Sequence, residues 1–155
     1  MTFNAIALKY SLVCKNLISE QNPTALDIGC QTPSFTQNQF KDVLKKNLDK
    51  KTLQNSYFNS ISSDIFTTKN CYLSMGYSIY ESIDVNGYLN SYKFDLNYDL
   101  SDHYNFKNEY DLVINNGTGE HIFNQFSLYK NIHNLTKKGG MMLNILPCLG
   151  FLNHG

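Results

Sequence analysis

Asp27 ends an apolar run, Ala25-Leu26-Asp27-Ile28-Gly29-Cys30, and a glycine follows two residues later. That pattern predicts a buried strand that breaks into a tight loop, with a carboxylate at the strand's carboxyl end. Ligands of open α/β sheets sit outside that end of the strands. Two further acids fall at comparable places: Asp84 in Ser82-Ile83-Asp84-Val85 and Asp95 just before Leu96, with Asp99 as the rival of Asp95. Another apolar run closes on Asn115-Asn116-Gly117-Thr118, and Gly119-Glu120-His121 follows. A carboxylate next to an imidazole suits proton transfer, because histidine ordinarily titrates near about 6.5. The plainer reading has Glu120 opening a helix, favoured there by the helix dipole, with His121 merely packed.

The elements that must position these residues follow from periodicity. Phe3, Ile6, Ala7, Tyr10, Val13 and Leu17 recur at helical spacing and predict a helix over residues 4–19. Phe40, Val43, Leu44 and Leu48 predict another over 36–48. Strands are expected at 25–29, 80–85, 92–97, 110–115 and 141–146. A short helix is expected near 62–68, and 99–109 reads as a polar loop. A helix over 124–135 should close on Lys137-Lys138-Gly139-Gly140 as its cationic last turn and glycine stop. Strands alternating with helices argue for an α/β fold with a mostly parallel sheet.

Composition narrows the class. The chain has 155 residues, 42% of them hydrophobic, with 13 basic and 13 acidic side chains and no arginine. That suits one domain over residues 1–155 and argues against a dedicated nucleic-acid binder, which needs a basic footprint. Cys14, Cys30, Cys71 and Cys148 have no C-x-x-C spacing, so neither a zinc site nor a disulfide framework is expected. Free thiols, no signal-peptide pattern and no long apolar run point to a cytoplasmic protein with no membrane partner. Oligomeric state is not legible.

Taken together, the segments Leu26-Asp27-Ile28-Gly29, Ser82-Ile83-Asp84-Val85, Tyr110-Asp111-Leu112-Val113 and Lys138-Gly139-Gly140-Met141 resemble the class I S-adenosylmethionine-dependent methyltransferases over residues 25–147. The resemblance implies a Rossmann-like sheet in strand order 3-2-1-4-5, helices on both faces, and S-adenosylmethionine as cofactor. It implies methyl transfer to a small-molecule acceptor. By the same resemblance, Asp27, Gly29 and Cys30 approach the methionine end, and Asp84 with Val85 meets the ribose. Asp95 and Leu96 meet the adenine edge, and Asn116 and Gly117 line the floor beneath the sulfonium. Glu120 and His121 become the candidates for acceptor binding and general-base work. Asn153 and His154 follow the fifth strand, where acceptor contacts are also expected. His103 and His133 read as surface or packing residues.

The chain departs from the family in three ways. Gly29 is followed by Cys30-Gln31-Thr32-Pro33 rather than further glycines. The gap from Asp27 to Asp84 exceeds the ~20 residues of a compact unit, so 38–75 is read as holding an insertion, a cover for the substrate. The family's last two strands are lacking, so on this reading the chain is either a fragment, which is favoured, or a minimal fold with its fifth strand as a bare edge. Two alternatives stay open: a non-catalytic cofactor-binding fragment, and another nucleotide-binding α/β domain. The missing G-x-G-x-x-G counts against a nicotinamide binder. Asn115-Asn116-Gly117-Thr118 in place of an Asn/Asp-Pro-Pro-aromatic motif counts against base methylation.

Overall fold

Alternate residues of each central strand go to opposite cores. Ala25 packs into one cluster and Leu26 and Ile28 into another; Leu112 and Ile114 join the first, Val113 the second. A strand buried on both faces reads as a near-continuous apolar run, as a parallel sheet covered by helices requires. In the computed structural model of this protein, residues 2–49, 53 and 66–147 are described. In chain order they form β1 (Thr2–Phe3), α1 (Ala5–Leu17), β2 (Thr24–Ile28), β3 (Thr32–Pro33) and α2 (Gln37–Asn47). There follow α3 (Thr68–Ser74), β4 (Ile79–Ile83), α4 (Leu100–Tyr104), β5 (Tyr110–Asn116), α5 (Gln125–Asn134) and β6 (Thr136–Ile145).

The main sheet has four parallel strands in the order β4-β2-β5-β6. Ala25 lies opposite Tyr80 on one side and Leu112 on the other. The chain therefore runs from β2 outward to β4, then crosses to β5 on the opposite side. β1 and β3 form a small parallel pair of their own. The first core draws Ala7, Leu8 and Leu12 from α1, Phe40 and Leu44 from α2, and Cys71 and Tyr72 from α3. The second draws Leu100 from α4 and Leu128 and Ile132 from α5. Each such aliphatic side chain fully buried is worth roughly 1.5–3 kcal/mol.

Local signals set the helix starts. The Asn4 side chain accepts from the backbone N–H of Ile6 and Ala7 and opens α1. Thr36 and Gln39 form a reciprocal capping box at α2. At the amino ends of the strands, Asp111 clamps β5 to β2. Its Oδ2 accepts from Thr24 N at 2.8 Å, from Thr24 Oγ1 at 2.9 Å and from Lys137 Nζ at 2.8 Å. The aspartate of Tyr110-Asp111-Leu112-Val113 is thus a tie between strands, at the edge away from the expected site.

The structure departs from the expectations at several elements. Only Tyr92 of residues 92–97 pairs with the sheet, as a single parallel bridge to Ile83. Tyr92 and Phe94 stack with centroids 5.5 Å apart, Phe94 and Tyr104 at 4.4 Å, so ring packing replaces the ladder. The 99–109 segment contains α4, opened by the Asp99 side chain on Asp102 N. Lys137-Lys138-Gly139-Gly140 does not end α5. Thr136 already pairs with Tyr110, and the next pair is Leu112 with Met141, so these residues bulge out of β6, with Gly139 at φ 82°. The inner face of α1 is Ala7, Leu8, Ser11, Leu12 and Cys14, whereas Ile6, Tyr10, Val13 and Leu17 are exposed. The described parts of 38–75 are core material, through Phe40, Leu44, Tyr72 and Met75. The helix expected at 62–68 lies mostly outside the described residues, and α3 begins at its end. Cys148, Asn153 and His154 also lie outside them. Among the described residues, no helix is long and apolar enough to cross a membrane.

Candidate functional site at the carboxyl edge of the sheet

β2, β4 and β5 are parallel, so the loops that follow them leave from one edge. Asp27 is the penultimate residue of β2 and is 1% exposed. Its Oδ2 accepts from the Tyr80 hydroxyl at 3.0 Å and its Oδ1 from Gln31 Nε2 at 3.4 Å. Burial pushes its carboxyl up to about 8, against a smaller downward pull from the Tyr80 hydroxyl.

Gln31 carries this contact across to β5. Its Nε2 donates to the Asn116 carbonyl at 2.9 Å, and Asn116 Nδ2 donates back to Gln31 Oε1 at 2.7 Å. Asn116 Nδ2 also reaches the Thr2 carbonyl at 3.2 Å, which ties the small β1–β3 pair to the same point. The Thr68 hydroxyl donates to the Gln31 carbonyl at 2.8 Å, so the first turn of α3 is held there too. A buried polar network is stable when its members are satisfied, and this one is satisfied largely by itself.

Gly29 and Thr118 bring the β2 and β5 loops into contact. Gly29 has φ 116°, and a Cβ built on it would lie 2.1 Å from Thr118 Oγ1. The glycine does permit a close approach, but the group that approaches in this structure is Thr118. Gly117, at φ 73°, turns the chain beyond Asn116, and the Glu120 Oε1 lies 3.6 Å from where its Cβ would stand. Glu120 is half-buried and His121 exposed, both on the short 3₁₀ turn Gly119–His121. The turn is held by His121 N donating to the Thr118 carbonyl at 3.0 Å.

Asp84 follows β4 and is half-buried. Its Oδ1 accepts from Asn86 N at 2.8 Å, and its Oδ2 has no partner among the described residues. Val85, 58% exposed, leads into the Asn86-Gly87 turn. Asp95 accepts from Asn97 N and Nδ2 at 2.9 and 2.8 Å, and Asn97 in turn binds Asn124 at the start of α5. The Leu96 side chain is buried in the second core, so its backbone is the part that would meet a ligand. Asp99, the rival of Asp95, is engaged by Lys130 at 2.6 Å, and its hydrogen bond from Lys130 holds its carboxyl below the usual range.

Between the loops after β2 and β4 lies a cavity of about 430 Å³. Cys30, Gln31, Thr68, Tyr80, Ser82 and Tyr92 are among its walls. Burial raises the Cys30 thiol, so it is a neutral wall and not a nucleophile. Among the described residues no group of three or more histidines, cysteines or acids stands where it could hold a metal ion. Gln31 and Tyr80 are the site residues that the sequence does not single out, and Thr118, in the stretch after β5, packs against Gly29. A glutamine four residues after the strand-end acid was the one available hint.

No protein-family model matches the chain, and no curated protein and no solved structure matches it either.

Proposed function

We propose that the carboxyl edge binds S-adenosylmethionine and that the chain transfers its methyl group to a small-molecule acceptor, within a Rossmann-like fold of strand order 3-2-1-4-5. The order β4-β2-β5-β6 fits this with Tyr92 at the outer, third position. The observation that carries the reading is the reversal of strand order at β2, from which the chain is built outward to β4 on one side and then to β5 and β6 on the other. In open α/β sheets such a switch point is where ligands bind. Asp27, Gly29, Asn116 and Gly117 all lie at that point, with Asp84 one strand away.

The residues present fit the cofactor's chemistry. Asp84 has one oxygen held by Asn86 and one available to ribose hydroxyls. A cavity of about 430 Å³ beside these residues falls within the usual ~300–1,000 Å³ of small-molecule sites, and of the expected cofactor residues Cys30 alone is among its walls. Asp27 to Cys30 would hold the methionine end, Asp95 and the Leu96 backbone the adenine edge, and Asn116 and Gly117 the region beneath the sulfonium. When bound, the cofactor supplies an electrophilic methyl group. This chain's part is mostly positioning, which is where in-line displacements gain most. Here His121 would take the acceptor's proton and Glu120 would orient the acceptor.

A thermal-shift panel tests the reading. Ligands that bind only the folded state raise Tm, the stabilisation growing with the logarithm of ligand concentration above Kd. S-adenosylmethionine and S-adenosylhomocysteine should raise it and NAD should not. A shift with NAD and none with the other two would overturn the proposal.

A further inference from the structure

We propose that the outer face of α1 is a contact between two copies of this chain, whose α1 helices pack antiparallel about a two-fold axis. The inference does not depend on the cofactor reading. α1 is apolar on two sides. Its inner side buries Ala7, Leu8, Ser11, Leu12 and Cys14. The bulkier set, Ile6, Tyr10, Val13 and Leu17, stays 57, 46, 44 and 67% exposed. A helix that is apolar all round is ordinarily buried all round. The exposed set is spaced by four, three and four residues, the alternation by which one helix seats its side chains into the holes of another.

The seam selects a second copy as its occupant. In an antiparallel pair, Ile6 meets the second copy's Leu17 and Tyr10 meets its Val13. The largest of the four side chains then sits over the smallest, and two of equal size over each other, so the layers fill evenly. A parallel pair would set Tyr10 on Tyr10 and Val13 on Val13, one layer overfilled and the next underfilled. Charge agrees with the antiparallel choice. α1 carries Lys9 and Lys15 and no acid. Lys9 rims the seam beside the second copy's Asn16, and Lys15 lies off the seam, so no like charges are opposed. Antiparallel helices also set each carboxyl end beside the other's amino end, where the helix dipoles attract. A lipid surface fits less well, because two lysines on a chain of zero net charge give little attraction to anionic headgroups. A standard interface buries about 800 Å² per partner. Four half-exposed side chains supply less than that, so the dimer is weak and forms only as concentration rises.

Sedimentation equilibrium of the full chain over a wide range of concentration reads the association directly. The average mass should rise with concentration from that of one chain toward that of two. Val13→Glu and Tyr10→Lys should each stay monomeric throughout, and each should keep the wild-type Tm in dilute solution, because both positions are exposed. Mixed in equal amounts, the two variants should associate again, since the antiparallel register sets the introduced lysine over the introduced glutamate and a parallel one does not. Should one variant fail to fold, the other and the wild type still decide the surface. A wild type that stays monomeric, or a dimer that survives both substitutions, would overturn the inference. Variants that are monomeric alone and do not pair on mixing would overturn the antiparallel packing. Co-sedimentation of a monomeric wild type with phosphatidylglycerol vesicles, lost in Val13→Glu, would assign the face to a lipid surface and overturn the second copy as its occupant.

Discussion

Thr118 occupies the space that a side chain on Gly29 would need: its Oγ1 lies 2.1 Å from the position of the missing Cβ. Two loops that leave neighbouring strands are thereby locked at the switch point. Gly29→Ala meets both this clash and a backbone at φ 116°. Overpacking and backbone strain each cost roughly 1–3 kcal/mol, so a loss on the order of 3 kcal/mol is expected in urea unfolding. Adding Thr118→Gly should recover the steric part and leave the backbone part. A neutral single variant would show that the loops do not meet this way.

Asp27 makes stability depend on pH. Its folded value of about 8 lies above the ordinary carboxyl value of about 4. Between those limits the unfolded chain has lost the proton that the folded chain keeps, so stability falls as pH rises from about 4 to about 8. The slope approaches ~1.4 kcal/mol per pH unit. Asp27→Asn should flatten that limb in denaturant titrations at several pH values. An unchanged slope would mean that Asp27 is ionised at neutral pH.

Asp111 behaves in the opposite sense. Burial raises its carboxyl, but hydrogen bonds from Lys137 and Thr24 outweigh burial and hold it below the usual range. Its contribution is present above the unfolded value near pH 4 and is lost as pH falls through the folded one. Asp111→Ala leaves Thr24 N and the Thr24 hydroxyl without this acceptor and should cost about 1–3 kcal/mol. Because it acts at the amino ends of the strands, folded Asp111→Ala should bind S-adenosylhomocysteine as the wild type does. Weakened binding would place Asp111 in the site.

The two faces of α1 offer a direct comparison. Leu12 is 3% exposed and Val13 44%. Leu12→Ala should cost about 2–5 kcal/mol, and Val13→Ala less than about 0.5 kcal/mol. Equal losses in thermal unfolding would mean that the helix packs by the other face.

That pair also shows where the sequence was ambiguous. Ile6, Tyr10, Val13 and Leu17 keep a helical period as well as Ala7, Leu8, Ser11 and Leu12 do. Bulk favours the first set, but the small Ala7, Ser11 and Cys14 sit on the buried face, with the Ser11 hydroxyl bonded to Tyr72. Periodicity identifies a helix and cannot choose between two apolar faces. The β2, β4 and β5 strands were legible because each apolar run ends at a polar residue or glycine. The edge at Tyr92 was not, because alternation in Tyr92, Phe94 and Leu96 reports burial in the second core as readily as strand pairing. Asp27, Asp84 and Asn116 could be found from strand ends. Gln31 could not be tied to Asn116, 85 positions away, by any local signal.

The most direct test is calorimetric titration of the wild type and Asp84→Ala with S-adenosylhomocysteine. The account predicts saturable one-to-one binding by the wild type and at least about a tenfold loss in the variant, the ~1.4 kcal/mol expected of a lost charge-assisted hydrogen bond. Equal affinity in the two proteins, or no binding by folded wild type, would contradict it.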